Sequence, residues 1–183
     1  MAWTLDKVHS SVGFSIKHLM ISTARGKFTD FDATLNLHEG DLALSSIEAT
    51  VKAASIDTGD ANRDAHVRSA DFFDAEKYPT FTFKCTKIEP KGDQRYHVIG
   101  NLTIKDVTKE VTFDVTEEGK GKNAWGKDLW AFTAALNINR KDFGLSWNMP
   151  LGAEGWMLGE TVKIALDLEV VNEPETASAA AAA

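Results

Sequence analysis

Apolar and polar side chains alternate one for one along most of this sequence, and that period of two constrains the fold more than any other feature. Val12, Phe14, Ile16 and His18 take one parity, while Ser11, Gly13, Ser15 and Lys17 take the other. The pattern recurs over residues 31–37, 47–53, 81–86, 96–104, 111–116, 130–138 and 162–170. It predicts eight strands, each with one apolar face. Turn-forming residues separate several of them, at Glu39-Gly40-Asp41, from Pro90 to Asp93, and from Gly119 to Gly126. A parallel sheet clad by helices on both faces needs near-continuous apolar strands, which these are not. One-sided alternation leaves a sandwich or a closed barrel. Strands as long as nine residues, such as 96–104, suit a barrel better. The expected fold is all-β: a closed eight-stranded antiparallel barrel.

Residues 57–79 break the alternation. Thr58 or Asp60 is placed to cap a short helix over residues 61–69. Asp71 is placed to cap a further turn before Tyr78-Pro79 imposes extended chain. A short helical insert is therefore expected over about residues 58–77, lying across one barrel end as a lid or plug. The 183 residues suit one domain, assigned to residues 1–171. Residues 172–183 run from Asn172-Glu-Pro-Glu into five alanines with no apolar pattern, which predicts a disordered tail.

Charge narrows the partners. The net charge is −7 and the pI about 5.2. With no dense Lys/Arg stripe, such a surface argues against nucleic acid. By the same reasoning it argues against docking on anionic membranes. Cys85 is the single cysteine, so no intrachain disulfide is available. No apolar run approaches the ~20 residues of a membrane-spanning helix. No basic segment followed by an apolar one precedes Trp3, so as written the chain reads as cytoplasmic. A periplasmic chain whose signal peptide had been exchanged for Met1-Ala2 would read the same.

The inward parity defines the interior. Its expected tunnel lining is Phe14, Ile16, His18, Phe31, Leu35, Phe81, Phe83, Leu102, Phe113, Trp130, Phe132, Leu136 and Ile138, with Trp147 from the loop that follows. Only His18 in the inward set readily charges near neutral pH. Eight strands leave room either for a packed core or for a single ligand. Small residues (Ala33, Ala49, Ala53, Gly100, Ala134) leave space that large neighbours can also fill. If hollow, the interior favours a long lipid, because each buried CH₂ contributes ~0.8 kcal/mol with no polar chemistry required.

Polar candidates are few. Arg63-Asp64-Ala65-His66-Val67-Arg68 is the densest cluster, with Asp64 and Arg68 spaced to pair on a helix. Arg63, His66, Arg68 and Arg140 are candidates for a ligand head group. The alternative is a structural network tying the insert to the barrel, and for Arg140 a turn locked by Asp142 and Gly144. His9-Ser10 with Asp6 lacks the strained G-x-S-x-G turn of a hydrolase. The five histidines show no metal-ligand spacing and no phosphate loop is present. No catalytic residue, metal or cofactor is expected beyond a bound isoprenoid or other long-chain lipid. Two other readings stay open: a barrel enzyme, an isomerase or cyclase, using His18 and Tyr96 on an apolar substrate, and a filled barrel serving as an interaction module.

Several stretches carry a resemblance. They are Asp6-Lys-Val-His9-Ser10, Lys17-His18-Leu19, Gly26-Lys-Phe28, Ser55-Ile56-Asp57-Thr58, residues 63–69, Asp71-Phe72-Phe73-Asp74, Tyr78-Pro79-Thr80-Phe81, residues 100–104 and residues 139–144. Each is weak alone; in register over residues 3–171 they make the chain resemble the YceI-like family of bacterial polyisoprenoid-binding proteins. The resemblance implies a lipocalin-like eight-stranded barrel and an elongated tunnel for an isoprenoid, a quinone tail or a comparable lipid. It implies no reaction, frequent secretion to the periplasm, and it admits a homodimer.

Overall fold

The computed structural model describes residues 2–173. Eleven strands form: β1 (Ala2–Leu5), β2 (Ser11–His18), β3 (Ser22–Phe28), β4 (Phe31–Asn36), β5 (Ser46–Lys52), β6 (Ile56–Asp57), β7 (Thr80–Pro90), β8 (Arg95–Ile104), β9 (Val107–Lys122), β10 (Asp128–Asn139) and β11 (Leu158–Glu173). One α-helix, α1 (Ala61–Arg68), interrupts them. All strands join one curled antiparallel sheet in the order β4-β5-β7-β8-β9-β10-β11-β2-β3-β6, with β1 pairing to the far end of β11.

Eleven strands thus stand where alternation predicts eight. The additions are β1, β3 and β6. The alternation in β3 is weak because two of its inward residues, Ala24 and Gly26, are small. They lie opposite Ile16 and Phe14. A Cβ on Gly26 would fall 2.4 Å from the Phe14 ring, so the glycine is what lets that ring lie inward. The ladder path is also open rather than closed. Strand β4 pairs with β5, while β3, joined to it through Thr29-Asp30, pairs with β2 and β6. The chain bends at Thr29-Asp30, and that corner is tied by bonds from Thr29 N to Ser55 O (3.1 Å) and from Lys52 N to Asp30 O (2.9 Å).

The glycine-rich stretch after residue 118 is not a loop throughout. Strand β9 runs on to Lys122 and turns only at residues 123–127. Strand β11 likewise runs past the expected domain end. Asn172 and Glu173, assigned to the tail from sequence, pair with Trp3 and Ala2. The rest of that tail lies outside the described residues.

The two ends of the sheet are covered differently. At one end Trp3, Trp130, Val170 and Leu42 form a separate buried cluster, with the Trp3 and Trp130 rings 5.5 Å apart and edge-on. At the other lies the insert. Asp60 caps α1 by accepting from Arg63 N at 2.8 Å. Helix α1 stops at Arg68, one residue short of expectation, and Ser69 begins a run of turns. Phe72 and Ala75 in that run are buried against the main core. Asp71 takes no capping role; its carboxylate meets His66 Nε2 at 2.9 Å.

Gly100 does not leave the interior empty either. A Cβ there would lie 2.4 Å from the Lys84 carbonyl oxygen and 2.6 Å from the Phe83 ring. Gly100→Ala is therefore expected to destabilise the fold by about 1–3 kcal/mol through overpacking. Urea unfolding checks this: the midpoint should fall with little change in slope.

Candidate functional site

The inward faces of the strands enclose a cavity of about 660 Å³. It falls within the ~300–1,000 Å³ of small-molecule sites. At ~30 Å³ per water molecule it equals about twenty waters, yet each water needs two to four polar partners. The lining is overwhelmingly Phe, Leu, Ile, Val and Ala and supplies few of these. The space therefore favours an apolar occupant.

Twelve of the fourteen expected tunnel residues line the cavity; Trp130 and Leu136 do not. Leu136 packs within the main buried cluster. Trp130 is 1 % exposed and belongs to the sealed end. Its Nε1 donates to Glu117 Oε1 at 2.8 Å, and Lys120 Nζ lies 3.9 Å from its ring centroid. Tyr96 also donates to Glu117, at 3.5 Å. Burial, followed by the Glu117 charge, raises the Tyr96 phenol. These charged neighbours of Trp130 escape the sequence reading. A register shift between Ala131 and Phe132 puts Glu117 opposite Phe132 and Lys120 opposite Trp130. Extending the Val111-Phe113-Val115 parity by two would have found Glu117; nothing in the pattern reveals Lys120.

His18, Asn62, Arg63, His66, Arg140, Trp147 and Met157 line the cavity towards the end covered by the insert. The His66 ring stands edge-on to Trp147 (4.7 Å) and Phe72 (5.2 Å). The expected head-group residues have other partners as well. Arg63 donates from Nε to Thr58 Oγ1 (2.8 Å) and from Nη2 to the Thr58 carbonyl (2.7 Å). Arg68 does not line the cavity. Asp64 accepts from Thr58 N (2.9 Å) and Thr58 Oγ1 (2.6 Å), with no ion pair to Arg68 among the described residues. The Thr58 hydroxyl holds the Asp64 carboxyl below its ordinary value of 3.8, with Arg68 and Arg63 adding field effects.

Arg140 is 2 % exposed and forms no ion pair among the described residues. Its guanidinium donates to three carbonyls: Gly159 (2.8 Å), Leu145 (2.5 Å) and Trp147 (2.8 Å). It clamps the loop after β10 to the start of β11. The expected lock with Asp142 does not form; Gly144, at φ 76°, does provide the left-handed turn. His18 makes no ring hydrogen bond among the described residues.

The described residues hold one grouping of three metal-type ligands, Asp6, His9 and Glu169. The His9 Nδ1 lies 2.8 Å from Asp6 and 3.7 Å from Glu169. Asp6 Oδ1 also accepts from Val8 N and His9 N, which fixes the bend between β1 and β2. The cluster reads as an ion-paired strand junction, not as part of the cavity.

The site is thus an apolar cavity inside a curled antiparallel sheet, covered at one end by a short helical insert. The YceI-like domain model matches residues 3–170, and the chain belongs to that family. It is 39 % identical over 168 residues to a UPF0312 protein of Staphylococcus epidermidis, covering 91 % of this chain and 95 % of the relative. Its fold is similar to the crystal structure of BcnA of Burkholderia cenocepacia (TM-score 0.80, 29 % identity, 90 % of this chain and 98 % of that one). It is also similar in fold to a polyisoprenoid binding domain from Saccharophagus degradans (TM-score 0.72, 14 % identity, 94 % and 99 %).

Two predictions follow from the polar clamps. Arg140→Ala leaves three carbonyls short of a donor and should cost about 3 kcal/mol or more. Hydrogen exchange should show faster exchange in residues 144–159. The depressed Asp64 carboxyl contributes stability above pH 3.8 that is lost as pH falls through its lowered folded value. In Asp64→Ala the acid-side fall in stability should therefore be shallower, as measured by unfolding between pH 5 and about pH 2.

Proposed function

We propose that this protein binds one long apolar chain, a polyisoprenoid, a quinone tail or a fatty chain, inside the curled sheet, and carries, stores or sequesters it. The observation that carries this reading is the apolar cavity of about 660 Å³. Burying a dozen methylene or methyl carbons releases on the order of 10 kcal/mol. That is comparable with the ~4–15 kcal/mol spent on ordering, so longer chains bind better. Membership of the YceI-like family and the polyisoprenoid-binding neighbour from Saccharophagus degradans support the ligand class.

In this reading the sheet works as a closed lipocalin-like barrel. Counting β1 with β2, β3 with β4 and β5 with β6 as interrupted strands gives eight staves. The bonded corner at Thr29-Asp30 joins the two ends of the ladder.

Binding is favoured over catalysis by where the inward polar groups lie. His18 ends β2, at the insert end. Tyr96 begins β8 and packs in the sealed end beside Trp130. An acid–base pair needs both within hydrogen-bond reach of one substrate atom. A filled barrel acting as an interaction module fits poorly with a hollow interior.

Calorimetry with prenols of increasing length, delivered from cyclodextrin, tests the reading. Wild type should bind, with affinity rising with chain length until the cavity is full. Phe83→Arg places a charge in the lining and should weaken binding at least 100-fold. Ala49→Phe, which only narrows the cavity, should shorten the longest chain accepted. A Phe83→Arg protein that is folded and binds as wild type does would contradict the site.

A further inference from the structure

The wall of the sheet is incomplete beside the insert. Strand β6 pairs with β3 only at Lys27 and Phe28, and the chain then leaves the sheet at Thr58. No strand among the described residues pairs with that edge of β3 from Ser22 to Gly26. From β5 through to β2 in the ladder order, by contrast, each strand has a paired neighbour on both sides.

Helix α1 stands across the gap. Asn62, Arg63 and His66 line the cavity from the helix, and Ala24 and Arg25 line it from the open edge of β3. Arg25, Asn62 and Arg63 are exposed as well. Residues that belong both to the cavity lining and to the surface mark where the two meet. The gap is thus a slot, with β3 as one wall and the first turn of α1 as the other.

The slot is pinned at one end. A Cβ on Gly26 would lie 3.1 Å from Thr58 Cγ2, so β3 touches the chain where it enters the insert. Arg63 ties α1 to the same residue through its two bonds to Thr58. Beyond that point, among the described residues, the backbone bonds of residues 58–78 all stay within the insert. The chain rejoins the sheet only where Ala53 N donates to the Pro79 carbonyl (3.0 Å). Between these anchors the insert holds to the sheet by side chains, with Val67, Phe72, Phe73 and Ala75 packed against the core. Moving it breaks packing and no ladder bond, which is the physical character of a binding-site lid.

The other gaps are closed. Strands β1 and β4 also share no ladder, but Leu5 and Leu35 both pack on the buried cluster of Trp3 and Leu42, and Lys7 Nζ meets Asp32 Oδ2 at 2.6 Å. At the β2–β3 turn, Leu19 N donates to the Met157 carbonyl at 2.7 Å, and Arg140 holds the loop that carries Met157.

We propose that the apolar chain enters and leaves the cavity sideways, through the slot between β3 and α1, and that the insert is the part that moves to admit it. The proposal rests on the lipid-binding reading above and adds the route.

A tether across the slot tests it. Arg25→Cys with Asn62→Cys, in a chain whose native thiol is removed by Cys85→Ala, is bridged with a short bismaleimide. Prenol uptake from cyclodextrin, and release to it, are then timed in the same protein with and without the bridge. The bridge should slow both by roughly tenfold or more, as where lid motion sets the rate. A bridge between Asn137→Cys and Lys163→Cys, which are already register partners in β10 and β11, should leave both rates unchanged. Arg63→Ala, which frees α1 from Thr58, should speed release. A slot bridge that leaves uptake and release as fast as in the unbridged protein overturns the proposal. So does a pair too far apart to be bridged, since the two walls would then not meet. Equilibrium binding separates the route from the reading beneath it. Unbridged protein that binds prenol, with rates blind to the bridge, refutes the slot alone; protein that binds no prenol in either form refutes the lipid reading and the slot with it.

Discussion

Eleven strands present their apolar residues on one face, and among the described residues one eight-residue α-helix is the only α-helix available to cover them. Among the described residues no second layer buries that face, so the sheet curls onto itself. Curvature then decides the rest. The corner at Thr29-Asp30 lets one chain segment serve β2 on one side and β5 on the other. Gly26 and Gly100 admit the rings of Phe14 and Phe83 where strands crowd. Between those rings the facing side chains do not meet, and the cavity is what remains.

The ends divide the labour. One is sealed by packing: Trp3, Trp130, Val170 and Leu42, with the indole of Trp130 anchored on Glu117. A buried indole N–H would otherwise be costly, and the carboxylate satisfies it. The other end is held by polar clamps on irregular chain. Asp64 and Arg63 hold Thr58, and Arg140 holds three carbonyls around the loop from Leu145 to Gly159. Backbone outside the ladders needs such partners, because its donors and acceptors have no neighbouring strand. Side chains that clamp backbone therefore gather at the insert end.

Strands rich in Phe, Ile and Leu were legible in the sequence because burial on one face leaves a period of two. Strand β3 was not, since Ala24 and Gly26 accommodate neighbouring rings rather than contributing apolar bulk. Parity also tells inward from outward without telling depth. Trp130 and Leu136 share the parity of Phe132, yet neither reaches the cavity. Side-chain partners were harder still. Arg140 and Asp64 read as members of ion pairs, but their partners are carbonyl oxygens and a threonine, which composition does not mark. Lys120 reached Trp130 through a register shift that no periodicity announces. Net charge likewise averages over the whole surface and does not show that residues 11–28 carry no carboxylate.

The proposed function depends on the cavity accepting a long apolar chain. Native mass spectrometry of the protein, purified without detergent and then exposed to a long-chain prenol, measures that directly. The account predicts one adduct per chain at the mass of a single prenol, retained on gentle activation and shed as the protein unfolds. A protein that stays at its sequence mass after exposure to prenols and fatty acids would contradict it.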